Sequence, residues 1–187
     1  MAADPILTAE QYLEIDRNAE IKSEFYKGAM VSMAGARFAH NRLVWNVIAL
    51  LGRDLRPPCQ GCPSDMRVRV SDTGLYAYPD AVVVCGEPQF VDHRQDILLN
   101  PKLIVEVLSP STEAYDRGEK FELYGSISSL SEYVLIASER MHVDLYARQS
   151  GDRWLRTSAG QLEESLALNS IGCPLPLAEL YKDVRFG

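Results

Sequence analysis

The stretch Leu103-Ile104-Val105-Glu106-Val107-Leu108-Ser109-Pro110-Ser111-Thr112 decides how this chain is read. An apolar run of this length, bounded by turn formers, reads as a strand buried on both faces, and so as a central strand of a sheet. Glu106 interrupts the run. A carboxylate inside a buried strand costs several kcal/mol unless a cation or hydrogen-bond donors compensate. Toward the C-terminus, Asp116 to Tyr124 reads as a helix. Tyr133 to Ala137, Val143 to Tyr146 and Arg153 to Leu155 read as strands. A short strand is expected around Leu166 to Leu168. A short helix from Leu177 to Tyr181 follows Pro174 and Pro176.

Toward the N-terminus, Ala81-Val82-Val83-Val84-Cys85 is a second apolar strand. Met66, Val68 and Val70 alternate with Arg67, Arg69 and Ser71, the pattern of a half-buried strand. Leu43, Val44, Val47, Ile48, Leu50 and Leu51 repeat at helical spacing from about His40 to Arg56, where Pro57-Pro58 ends the helix. Glu24 to Met33 reads as two short strands turning at Lys27-Gly28. Thr8 with Gln11 forms a capping box for a first helix. The order predicts an α/β (mixed α+β) fold, with a central mixed β-sheet flanked by helices. The 187 residues suit one domain, 1–187.

Hydrophobic residues make up 47% and charged residues 24% of the chain, which excludes a mainly disordered or collagen-like protein. The net charge of -7 argues against non-specific coating of nucleic acid by the whole surface and leaves a local basic groove open. No run approaches a membrane span, and Met1-Ala2-Ala3-Asp4-Pro5 lacks the basic and apolar regions of a signal peptide. Cys59, Cys62, Cys85 and Cys173 are too sparse for a disulfide scaffold. A soluble, cytoplasmic, reducing-compartment protein with no membrane partner is expected. Cys59-Gln60-Gly61-Cys62 reads as a pair of loop thiols, and Cys85 as a small core residue. No phosphate-binding GxxxxGK[ST], dinucleotide GxGxxG or hydrolase GxSxG motif is present.

Asp80 follows Pro79 at the mouth of the Ala81 strand. If that strand neighbours the Leu103 strand, Asp80 and Glu106 converge. Two hard oxygen ligands, completed by water and a phosphate oxygen, suit Mg²⁺ or Mn²⁺. Such an ion polarises a phosphoryl oxygen and acidifies water. His40 and Arg42 begin the long helix, whose free N–H groups suit a phosphate. The alternatives are a turn aspartate with a buried ion-paired glutamate, and a cap-region histidine. Arg67 and Arg69 share one strand face, where they either line a groove for a phosphate backbone or face solvent. Asp116 and Lys120 are spaced i, i+4 and are open to reading as a surface ion pair. Tyr124, one turn on, reads as a core tyrosine or as a hydrogen-bond donor to Glu106 or a phosphate. Ser109, Ser111 and Thr112 suit either a helix cap or a phosphate contact.

Pro79-Asp80, with Glu106-Val107-Leu108 further on, resembles a PD-(D/E)XK nuclease motif in which Leu108 takes the lysine position. The wider pattern is more specific. It comprises Ser23-Glu24-Phe25-Tyr26-Lys27-Gly28, His40-Asn41-Arg42-Leu43, Tyr78-Pro79-Asp80-Ala81-Val82-Val83, Val105 to Thr112, Asp116-Arg117-Gly118-Glu119-Lys120-Phe121-Glu122-Leu123-Tyr124, and Glu132-Tyr133. Over about residues 8 to 182 the chain is similar to the Uma2 (DUF820) family of restriction-endonuclease-like proteins. The resemblance implies a metal-dependent endonuclease acting on nucleic acid, DNA foremost. It implies Asp80 and Glu106 as metal ligands with the Val107 carbonyl and Glu24, and Lys120 as the catalytic replacement for the missing lysine. Concerted cleavage of two strands would need two sites, so a homodimer is expected. The rival readings are an inactive binding module of the same fold and a small-nucleotide phosphohydrolase.

Overall fold

The computed structural model describes residues 6–33, 35–71 and 73–186. Met1 to Pro5, the segment read against a signal peptide, lies outside them. The first half of the chain runs α1 (Ala9–Asn18), β1 (Ser23–Tyr26), β2 (Ala29–Ser32), α2 (Phe38–Asp54), β3 (Cys59–Pro63), β4 (Arg67–Val70), β5 (Leu75–Ala77), β6 (Ala81–Cys85) and β7 (Ile97–Leu98). The second half runs β8 (Leu103–Leu108), α3 (Glu113–Arg117), α4 (Glu119–Gly125), β9 (Glu132–Ala137), β10 (Val143–Arg148), β11 (Trp154–Ala159), β12 (Ser165–Leu168), β13 (Cys173–Pro176) and α5 (Leu177–Leu180). Among the described residues no helix is long and apolar enough to cross a membrane.

The expected mixed sheet is present, in the order β11-β10-β9-β8-β6-β3. β8 is buried at every position and runs parallel to β9, while its other neighbour, β6, is antiparallel. A parallel pair needs a crossover, and α3 with α4 supplies it. The two-residue period of the strands sorts their side chains. Leu103, Val105 and Val107 pack with Ala81 and Val83 beneath α2 and α5. Ile104 and Leu108 join Val82 and Val84 on the other face, against Leu123 and Tyr124 of α4. That second face also meets Val68, Val70, Leu75 and Ala77, which belong to a further sheet of order β2-β1-β5-β4-β7.

Several expectations need correction. The helix read from Asp116 to Tyr124 is two short helices that meet at Gly118, where a Cβ would sit 3.1 Å from the Ala114 carbonyl oxygen. β3, β5, β7 and β13 were not anticipated, being short or rich in glycine and proline. Cys59 and Cys62 lie on β3 rather than in a loop, and Cys59 is disulfide-bonded to Cys85 across the β3–β6 pair. Cys62 and Cys173 are free. The thiol reading of Cys59 and Cys85 therefore falls, and so does the support it lent to a reducing compartment.

Arg67 and Arg69 line neither the expected groove nor the solvent face. Arg67 is buried against Asp16 of α1, 2.6 Å from its Oδ2, and also contacts Tyr78 and Asp96. Tyr78 Oη donates to the same Asp16 oxygen, while Asp16 Oδ1 accepts the Ser23 N–H. This network fastens α1 to the β1 sheet. Arg69 lies half-buried over the Tyr76 ring.

Candidate active site

The β6–β8 register explains how two distant carboxylates meet. Val82 pairs with Ile104 and Ala81 with Val105, so one further step sets Asp80 opposite Glu106. Both fall on the sheet face that looks toward α4 and the second sheet. Asp80 Oδ2 accepts the Val107 N–H at 2.7 Å. In a strand a residue's N–H and C=O point to the same side, so the Val107 carbonyl is directed toward Asp80, beyond the last β6 pair.

Lys120 of α4 reaches this spot. Its Nζ lies 2.9 Å from Glu106 Oε1, 2.8 Å from Glu24 Oε1 and 3.5 Å from Asp116 Oδ1. Its side chain is 6% exposed, so the surface ion-pair reading does not hold. Leu108 is buried in the core, two residues past Glu106 on the same face. Tyr124 lies wholly inside the protein and donates from Oη to Glu106 Oε1 at 3.1 Å. It stands behind the carboxylate, not on the cavity wall, so it cannot touch a substrate directly. His40 Nε2 is 3.5 Å from Asp80 Oδ2, and its buried Nδ1 has no partner among the described residues. Arg42 is not brought to the site. Its guanidinium turns to Asp183, 3.3 Å away, because it lies half a turn further round α2 than His40.

The electrostatics are lopsided. Glu24, Asp80, Glu106 and Asp116 share one ammonium. Burial raises the Glu106 carboxyl well above its ordinary range; Lys120 opposes this, and Asp116, Asp80 and Glu24 add to it. Burial likewise raises Asp80, against the pull of His40 and the Val107 N–H, and it raises Asp116. Burial works against the Lys120 charge, but Glu106, Glu24 and Asp116 outweigh it and hold the ammonium protonated.

These groups form the floor of a cavity of about 840 Å³. Its walls come from the β1–β2 hairpin, the start of α2, the Ser109–Thr112 loop and Tyr115 of α3. Sequence reasoning noticed Asp116 only as a helical neighbour of Lys120, and missed Tyr115 and Ser138; nothing in their local spacing marks them. Ser109 bonds to Ser111 and Thr112, an arrangement internal to that loop. Among the described residues no group of three or more His, Cys, Asp or Glu forms a ready metal cage, and the Lys120 ammonium takes up Glu24, Glu106 and Asp116. The donors themselves, carboxylate oxygens and a directed carbonyl, are the hard oxygen ligands that a divalent cation takes.

The mixed sheet flanked by helices is that of the restriction-endonuclease-like class; here two acidic residues face each other across the antiparallel β6–β8 pair, and the lysine comes from the crossover helix α4 in place of the strand position held by Leu108. The fold matches the crystal structure of "a putative nuclease belonging to DUF820" from Anabaena variabilis, with a TM-score of 0.77 at 14% identity, over 94% of this chain and 98% of that one. The Uma2 family model, described as "Putative restriction endonuclease", matches residues 9–178. The chain belongs to the Uma2 family. Two uncharacterized proteins of Synechocystis sp. are similar to it. One, sll1609, is 39% identical over 84% of this chain and 89% of its own length. The other, slr1290, is 34% identical over 97% and 95%.

Proposed function

We propose that this chain is a divalent-metal-dependent endonuclease hydrolysing nucleic-acid phosphodiesters, DNA foremost. The observation that carries the reading is the Lys120 ammonium, delivered from α4 to within 2.9 Å of Glu106 when the strand position two residues past Glu106 is an apolar leucine. Asp80, Glu106 and the Val107 carbonyl would hold Mg²⁺ or Mn²⁺, with Glu24 at the margin. When bound, the ion supplies Lewis acidity toward a phosphoryl oxygen and lowers the pKa of its water.

The protein's own groups do the rest. Lys120 has three N–H donors, and exchanging Glu24 or Asp116 for a phosphate oxygen aims one of them at the charge developing on the phosphoryl oxygens. Tyr124 is a positioning residue that fixes Glu106 through Oε1. His40 sits beside Asp80 at the cavity wall, where it can orient that carboxylate or a phosphate. Arg42 has no part.

The test compares wild type with Asp80→Asn, Glu106→Gln and Lys120→Met. Mn²⁺ binding is followed by titration calorimetry, and cleavage of single-stranded and duplex circular DNA is followed with and without chelator. The expected result is metal-dependent cleavage that falls at least about 10²-fold in each variant, with metal binding lost in the first two. Cleavage that survives Glu106→Gln, or no cleavage and no metal binding in wild type, would overturn the proposal.

A further inference from the structure

The β1–β2 hairpin breaks an ordinary rule. An antiparallel hairpin with one face on a core turns polar side chains outward on the other. Phe25 and Met30 form the core face here, packed with Tyr12 and Tyr76. The register Glu24↔Val31 and Tyr26↔Ala29 puts Glu24, Tyr26, Ala29 and Val31 on the opposite face, and all four line the cavity. Only Glu24 among them is charged. Val31 is left 65% exposed, and Tyr26 is half-buried. Tyr115 of α3, also half-buried, presents a second ring to the cavity.

Meanwhile the floor is recessed. The Glu106 and Asp80 side chains are 7% and 14% exposed. The lining residues bring few cations: Lys120, already engaged by carboxylates, and Arg37 at the mouth, which is paired with Glu139. Proteins that grip duplex DNA do so with rows of Lys and Arg on its phosphates. This cavity offers no such row. It offers aromatic and apolar surface directly above a phosphate-cleaving floor, the combination that receives unstacked bases.

We infer that the substrate of this site is an unpaired stretch of nucleic acid, whose base lies against the wall formed by Tyr26, Val31 and Tyr115 while its phosphate descends to Asp80, Glu106 and Lys120. The inference rests on the nuclease reading above. A duplex offers a base to the wall only at the cost of unpairing and unstacking it, a few kcal/mol, whereas a single strand unstacks at small cost and threads the cavity. Specificity for unpaired substrate then comes from Tyr26 and Tyr115, and one site suffices for each cleavage event.

The experiment measures kcat and KM in Mn²⁺ for a mixed-sequence single-stranded oligodeoxynucleotide and for the same strand annealed to its complement. It uses wild type and the Tyr26→Ala, Tyr115→Ala, Tyr26→Phe and Tyr115→Phe variants, each checked for an unaltered melting temperature. Preferential cleavage of the single strand is expected. Each alanine variant should raise KM about tenfold, as loss of a base-stacking ring does, and the phenylalanine variants, which keep the ring, should bring it back toward wild type. A duplex cleaved as fast as the single strand, or alanine variants with wild-type KM, would overturn the inference while leaving the nuclease reading standing. Cleavage of neither substrate would overturn both.

Discussion

Lys120 shows how one residue sets the character of a site. Without its ammonium, Glu106, Glu24 and Asp116 would be buried carboxylates facing one another, an arrangement that survives only by taking up protons. The ammonium opposes that uptake at Glu106 and Asp116, where burial still holds both carboxyls above their ordinary range. Asp144 makes the complementary point away from the cavity. It is fully buried, and receives Ser158 Oγ at 2.5 Å, Arg117 Nη1 at 2.5 Å and Arg156 Nε at 2.8 Å, with His142 Nε2 3.2 Å away. Burial pushes its carboxyl up, but these hydrogen bonds outweigh burial and hold it well below the usual aspartate range. A folded-state value below the unfolded one adds stability that is present above about pH 4 and lost as pH falls toward the folded value. Asp144→Asn should therefore cost about 3 kcal/mol near neutral pH. Urea denaturation at a series of pH values should show the gap to wild type narrowing below about pH 4.

At the scale of elements, local rules decided the ends and tertiary rules decided the alignment. The capping box at α1 is complete: Thr8 Oγ1 accepts the Gln11 N–H, and the Gln11 side chain accepts the Thr8 N–H. Thr8→Ala removes one of these bonds from an exposed helix end and should lower stability by about 1 kcal/mol, a shift to be read from the denaturation midpoint at unchanged slope. α1 matters beyond its own helicity, because Asp16 near its end anchors Arg67 and Tyr78 and so steadies the sheet that carries the hairpin wall. The break at Gly118 is equally consequential. It ends α3 and restarts the chain as α4, and both Asp116 and Lys120 still reach the carboxylate floor.

On the scale of the whole molecule, the Cys59–Cys85 bond ties the edge strand β3 to β6, and the two cysteines stand 26 residues apart. Closing a loop of that length restricts the unfolded chain by about 3 kcal/mol. Reduced protein, or Cys59→Ser, should be less stable by that amount and unfold at a lower urea midpoint, and a Cys62→Ser control should retain the oxidised midpoint. The two sheets meet through the Val82, Ile104 and Leu108 face, and the cavity opens where that packing ends at Asp80 and Glu106. The net charge of -7 fits a protein that confines its polyanion chemistry to one recess.

The sequence by itself determined β8, β6, the long α2, the hairpin and the α1 cap, since each follows from spacing, apolar run length or a capping pair within a few residues. It also marked Asp80, Glu106 and Lys120, because a carboxylate inside an apolar strand is costly enough to stand out and the surrounding motif resembles a family. What it did not show is long-range. Arg67 was open to reading as groove-lining or solvent-facing until Asp16, 51 positions away, supplied its partner. Cys59 looked like a loop thiol until β3 aligned with β6. Tyr115 and the apolar outer face of the hairpin gained meaning only when α3 and β1 closed on one cavity. Local propensity acts through neighbours along the chain, whereas burial, charge pairing and cavity shape depend on which segments meet, and only the tertiary structure decided that.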